Sequence, residues 1–139
     1  MQKSQSGFTL VELVVVIVLL GILGVTALGK FQNLSKDAQD SANAGLASEL
    51  SSSSAINFAA SVLNVSTAIS ITSDNCGFSA GDFLPQLLAS GNFPTEFRAD
   101  PDPLSTSTCA NSGGTYTCLI TGTGTPPGDA EVATILCTN

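Results

Sequence analysis

From Leu13 to Val25 every residue is apolar or glycine, and one carboxylate, Glu12, stands directly before the run. Extending it outward to Phe8 and Leu28 admits only Thr9, Glu12 and Thr26 as polar residues. At about 1.5 Å of rise per residue, roughly 20 helical residues cover the hydrocarbon core of a bilayer. A carboxylate at that depth is costly, so where one persists it has a function and a partner. Ahead of the run, the polar leader up to Gly7 carries Lys3 as its single charge.

The chain has 139 residues, which fits one compact domain plus a membrane segment. It has no His and no Trp, and only 4 basic against 11 acidic side chains, for a formal charge of −7. No basic patch can neutralise several phosphates, which excludes nucleic acid as a main partner. Without His, no nucleophile–base pair can be assembled, which speaks against an enzyme. The cysteines are Cys76, Cys109, Cys118 and Cys137, all in the second half. Lacking a CxxC pair and any His, they do not make a zinc site. An even number beyond a membrane segment reads as two disulfides in an oxidising compartment. Neither a cofactor nor a metal is expected.

Three explanations compete for the apolar run. A secretory signal peptide has a shorter apolar core, carries no acid and is cut after the core, for which Val25-Thr26-Ala27 would serve. A plain single-span anchor explains the length but gives Glu12 no partner. The stretch Gly7-Phe8-Thr9-Leu10-Val11-Glu12 resembles, residue by residue, the prepilin cleavage motif of the type IV pilin superfamily. That resemblance implies cleavage between Gly7 and Phe8 by a prepilin peptidase, N-methylation of the new Phe8 amine, and retention of the apolar stretch in the mature protein. In a staggered bundle of such helices, Glu12 of one subunit can meet the free Phe8 amine of another. Unpaired, both charges are penalised by desolvation, whereas paired they fix the axial register of neighbours.

The helical pattern continues beyond the membrane. Phe31, Leu34, Ala38, Ala42, Leu46 and Leu50 recur at three- and four-residue spacing, and Ile56, Ala60 and Leu63 extend the stripe. Lys36, Asp37, Asp40, Asn43 and Glu49 fall off it. With no proline before Pro85, one helix from Phe8 to Leu63 is expected, its second half packed on a head. The serine run Ser51 to Ser54 has modest helix propensity and leans on tertiary packing. Gly21, Gly24 and Gly29 lie within nine residues, each costing about 1 kcal/mol relative to Ala. They mark either a place where the helix bends or unwinds, or a surface for close helix packing. In pilins this stretch loses helical order in the filament, and a proline commonly stands where this chain has Gly29. The segment Thr26 to Ala38 resembles the mannose-sensitive haemagglutinin (MSHA) type of pilin in its Thr-Ala-Leu-x-Lys-Phe-x-x-Leu-Ser-x-Asp-Ala pattern.

After Leu63 the chain changes character. Asn64 to Asn75 reads as a connecting loop with a short strand. Ser79 to Ser90 holds Phe83, Leu84, Leu87 and Leu88 at helical spacing, with Asp82 as a cap and Gly91 as a stop. Strands are expected over Thr95 to Ala99, Thr115 to Thr121 and Glu131 to Cys137, with Leu104 to Cys109 as a fourth candidate. The fold class is α+β, a long helix whose first half is transmembrane, packed on a small antiparallel sheet, the layout of the pilin fold. A two-residue hairpin at Gly113-Gly114 would set Cys109 opposite Cys118 in a pair close enough to bridge, leaving Cys76 with Cys137. The alternative, Cys118 with Cys137 and Cys76 with Cys109, resembles the C-terminal disulfide loop of many pilins. Asp100, Asp102, Asp129 and Glu131 invite a calcium site like that of major pseudopilins of type II secretion. Their spacing matches no metal loop, and solvated surface acids are the better reading.

The expected organisation is a leader over 1–7, a transmembrane and assembly half of the helix over 8–29, an amphipathic half over 30–63, and a disulfide-bonded head over 64–139. The resemblance implies a structural subunit of an MSHA-like pilus that contributes to surface adhesion. A pseudopilin or minor pilin of a type II secretion or DNA-uptake machine shares the same N-terminus. The implied partners are identical or related pilin subunits, the prepilin peptidase, the inner-membrane assembly platform and, before assembly, the lipid bilayer. The implied location is the inner membrane with the head in the periplasm, then the extracellular pilus.

Overall fold

The computed structural model describes residues 7–72, 75–79, 81–104 and 109–138, with residue 32 described by its backbone alone. Its elements are α1 (Leu10–Val62), α2 (Phe83–Leu87), β1 (Phe97–Pro101), β2 (Thr115–Gly122) and β3 (Glu131–Leu136). The architecture is the expected α+β layout, one long helix with a three-stranded antiparallel sheet in the order β1-β2-β3. The chain divides into two compact units, Met1–Ser35 and Lys36–Asn139.

Within the first unit, α1 begins at Leu10 because Thr9 caps it. The Glu12 N–H donates to Thr9 Oγ1 at 3.3 Å and the Leu13 N–H to the Thr9 carbonyl at 3.2 Å. The side chains from Leu10 to Phe31 are exposed apart from a half-covered Ala27, so this part of α1 presents its apolar residues outward. It is long and apolar enough to cross a membrane. Gly21, Gly24 and Gly29 are helical, and Thr26 returns its hydroxyl to the carbonyls of Ile22 and Leu23 at 3.3 and 3.0 Å.

In the second unit the face of α1 that packs on the head keeps Leu46 and Leu50 of the apolar stripe but is otherwise set by polar residues. The buried positions are Asn43, Leu46, Ala47, Leu50, Ser54 and Asn57, while Ala38, Ala42, Ile56 and Leu63 are exposed. The reason lies in the strand it meets. Antiparallel pairing of β2 with β3 aligns Tyr116 with Ile135 and Cys118 with Ala133, and the even-numbered residues of β3 turn their amides away from β2. The Thr134 N–H donates to Ser51 Oγ at 2.9 Å and the Leu136 N–H to Ser54 Oγ. Ser51 passes its own proton to the Ala47 carbonyl at 2.8 Å. The serine run thus covers the edge of β3, which otherwise would be an open template for pairing.

The helix ends in a Schellman motif. Asn64 adopts the left-handed conformation (φ 54°), its N–H donates to Ser61 O at 2.9 Å, and the Val65 N–H reaches Ala60 O at 3.0 Å. The following segment is held by Asn57, whose amide takes both backbone groups of Ile69 at 2.7 and 2.8 Å. The short strand expected within 64–75 is reduced to one bridge, Ile71 with Thr138. The helix expected over Ser79 to Ser90 shrinks to the single turn Phe83–Leu87. Asp82 is its N-cap without a side-chain cap bond, because its carboxylate accepts the Ser79 N–H at 2.9 Å instead. The fourth strand candidate, Leu104 to Cys109, falls mostly outside the described residues.

Leu50, Ile71, Leu84, Ile120 and Ile135 are fully buried and form the centre of the core. Each contributes about 1.5–3 kcal/mol by leaving water. Two disulfides lie within this core, and their connectivity corrects the sequence reading. Cys76 pairs with Cys118 and Cys109 with Cys137, so neither Cys109–Cys118 nor Cys76–Cys137 forms, nor the alternative pairing. Both edges of β2 are occupied, by β1 and β3, so the chain before Gly113 has no edge of β2 to fold back on. It turns through Asn111 to Gly114 instead, and the Gly113 N–H donates to the Cys137 carbonyl at 2.9 Å, which seats Cys109 beside Cys137.

Candidate processing and assembly site

Four features converge at the N-terminus. Gly7, Phe8 and Thr9 precede the helix, so the Gly7–Phe8 peptide bond lies outside the hydrogen-bonded backbone of α1. A Cβ at Gly7 would meet no atom within 4 Å, and Phe8 is 78% exposed, so the bond is open to an enzyme on both sides. Thr9 and Glu12 stand as the first and fourth residues of a capping pair, which sets Glu12 in the first helical turn, at the positive end of the helix dipole. Exposed apolar residues flank Glu12 on both sides, Phe8, Leu10 and Val11 before it and the run from Leu13 after it.

Residues 2–28 match the prokaryotic N-terminal methylation motif. This is a type IV pilin-like prepilin signal, and it supports a place in the type IV pilin superfamily. It indicates a structural subunit of pilin or pseudopilin type rather than an enzyme family, and it implies processing by prepilin peptidase followed by polymerisation. The apolar helix and the motif together are consistent with membrane anchoring before assembly. Neither the curated proteins nor the solved structures compared with the chain gave a match.

The motif ends before the head, so the head's polar anchors stand on geometry alone. Lys36 Nζ lies 2.8 Å from Asp129 Oδ2 and 3.2 Å from Asp40 Oδ2. Asp40 also accepts the Asp129 N–H, and Asn43 Nδ2 donates to the Asp129 carbonyl at 2.7 Å. Two turns of α1 therefore grip one residue of the β2–β3 loop through its carboxylate, its amide and its carbonyl. Gly128 makes this approach possible, because a Cβ there would stand 2.8 Å from both Asp40 Oδ1 and Asn43 Nδ2. The Asp129 carboxylate, and then Asp40, hold the Lys36 ammonium above its usual range. The Asp129 amide, and then Lys36, hold Asp40 below the usual carboxylate range.

The four acids considered for calcium are engaged separately. Asp100 pairs with Arg98 at 3.3 Å. Asp102 accepts the Leu104 N–H at 2.9 Å and the Thr117 hydroxyl at 3.2 Å. Asp129 belongs to the grip on α1, and Glu131 opens β3. Among the described residues no group of three or more His, Cys, Asp or Glu side chains could hold a metal ion.

The spacing of apolar residues missed two sets of functional positions. Thr9-x-x-Glu12 is a capping-box spacing, legible in the sequence, that fixes where the helix starts. The polar series Asp40, Asn43, Ser51, Ser54 and Asn57 recurs at intervals of three or eight and marks the face of α1 that meets the head.

Proposed function

We propose that this chain is a structural subunit of a type IV pilus of the MSHA type, polymerising through the N-terminal half of α1 and contributing to surface adhesion. The observation that carries the reading is the methylation motif over residues 2–28, in register with an unwound Gly7–Phe8 bond and with Glu12 in the first turn. Prepilin peptidase would cut that bond, the Phe8 amine would be methylated, and the head would be delivered to the periplasmic side. In the fibre, Glu12 would neutralise the Phe8 amine of a neighbour, while Gly21, Gly24 and Gly29 would let the helix yield locally as subunits pack. The inner-membrane assembly platform would extract the subunit from the bilayer. The MSHA assignment rests on the pattern from Thr26 to Ala38.

Intact mass and N-terminal sequencing of protein sheared from the cell surface test this. The expected product begins at methylated Phe8 and is four hydrogens lighter than the reduced chain, one pair for each disulfide. A product beginning near Leu28 would mean ordinary signal-peptide cleavage and would end the fibre reading. Short, scarce fibres of correctly processed protein would assign it to a pseudopilin or minor pilin instead.

A further inference from the structure

Two threonines of the N-terminal unit use their hydroxyls in opposite ways. Thr26, inside α1, donates back to the Ile22 and Leu23 carbonyls. Thr9, just before α1, accepts instead, and the Glu12 N–H reaches its Oγ1 at 3.3 Å. That N–H is the donor a longer helix would give to the Phe8 carbonyl, because α-helical bonds run from residue i to i−4. The next bond of such a helix would join the Val11 N–H to the Gly7 carbonyl, since a helix grows by adding one bond to the last. The Thr9 hydroxyl therefore competes with the Phe8 carbonyl for one donor, and the hydroxyl holds it. Among the described residues no N–H meets the carbonyl of Gly7 or Phe8. The first carbonyl of the helical ladder is that of Thr9, reached by the Leu13 N–H at 3.2 Å. The sequence offers Ser6 as a rival cap three residues upstream, and a helix starting there would take the Gly7–Phe8 bond into its first turn.

We propose that Thr9 is a positioning residue for leader removal: by capping α1 it keeps the Gly7–Phe8 bond unwound and available to the prepilin peptidase. The inference rests on the processing proposed above. Hydrolysis adds water across that bond. The hydroxyl goes to the Gly7 carbonyl carbon, the C–N bond breaks, and the proton goes to the Phe8 nitrogen, which leaves as an amine. A peptide bond wound into a helix has its carbonyl tied to an N–H four residues on, so its cleavage follows the population in which it stands open. Thr9 sets that population through the Glu12 N–H, a backbone group, so this role is separate from that of the Glu12 carboxylate in assembly. It is also separate from recognition of the residues on either side of the cut, Gly7 and Phe8.

Full-length chains in detergent, incubated with prepilin peptidase and followed by mass and N-terminal sequence, supply the test. Thr9→Val keeps the shape of the side chain and removes the acceptor. It is expected to raise KM about fivefold, the population change that a typical N-cap controls, at unchanged kcat. Thr9→Asn and Thr9→Ser cap at least as well and are expected to match wild type. Amide hydrogen exchange gives a reading free of the enzyme. The Val11 N–H is expected to exchange more slowly in Thr9→Val than in wild type, because it gains the Gly7 carbonyl. Wild-type KM in Thr9→Val, or unchanged Val11 exchange, would overturn the proposal. So would a Thr9→Asn chain cut as poorly as Thr9→Val, which would mean that the peptidase reads the hydroxyl itself. A wild-type chain left uncut at Gly7–Phe8 would sink the processing and this inference with it. Wild type and Thr9→Val cut there equally well would sink this inference alone.

Discussion

Ser54 is fully buried, and its hydroxyl is the acceptor for the Leu136 amide. Ser54→Ala leaves that N–H without a partner inside the head and is expected to cost about 1–3 kcal/mol, read as a shift of the denaturant midpoint. Ser52→Ala, on the exposed side of the same helix, is expected to stay within about 0.5 kcal/mol. Equal effects at the two positions would refute the edge-covering role. At the other end of α1, Glu12→Leu keeps the apolar run and the cleavage bond but removes the carboxylate. The variant is expected in the membrane, processed at Phe8 and absent from fibres, as seen by immunoblot of membranes and electron microscopy of shear fractions. Normal fibre numbers would sink the assembly role of Glu12. These residues differ in how far the sequence exposes them. Glu12 is conspicuous because an acid interrupts apolar surroundings. Ser54 is not, because a small hydroxyl in a serine run betrays neither its burial nor its partner.

Among the elements, those with a strong repeat or a clean boundary were legible. Helix α1 was expected from Phe8 to Leu63 and spans Leu10–Val62, and β2 and β3 begin where the alternation of β-branched residues begins. Strand β1 is displaced by two residues and includes Pro101, which a strand tolerates at an unpaired edge. The face of α1 was legible in part: Leu46 and Leu50 of the apolar stripe are buried, while polar spacing decides the rest. Asn43 and Asn57 turn inward, one to the β2–β3 loop and one to the backbone of Ile69. The cysteine pairing was not legible, since it depends on both edges of β2 being filled by strands far apart in sequence. Chain-entropy arguments give about 4 kcal/mol for the Cys76–Cys118 link, which closes 42 residues, and about 3.5 kcal/mol for Cys109–Cys137, which closes 28. Paired Cys-to-Ala replacements are expected to lower head stability by about 2–4 kcal/mol each in denaturant titrations. A loss below about 1 kcal/mol for either pair would show that its loop is already held in the unfolded chain.

For the molecule as a whole, the grip of Lys36, Asp40 and Asn43 on Asp129 ties stability to pH in both directions. Asp40 is held low, so its contribution is complete above the ordinary carboxylate range and fades as the pH falls through its lowered value. Lys36 is held high, so its contribution is complete below the ordinary lysine range and fades as the pH rises through its raised value. Both groups face solvent, so the effect is modest and screened by salt. The difference in thermal midpoint between wild type and Lys36→Ala is expected to be widest near neutrality and to close at both extremes. A difference that does not vary with pH would mean that Lys36 acts through packing alone.

The order of the cysteines along the chain has a further effect on how a surface subunit survives damage. The two links interleave, with Cys109 inside the loop closed by Cys76 and Cys118, and Cys118 inside the loop closed by Cys109 and Cys137. A protease that cuts once anywhere between Cys76 and Cys137 therefore frees no fragment, because at least one bridge spans every cut. Wear of the head would leave its mass on a non-reducing gel almost unchanged and appear as fragments only after a reductant is added.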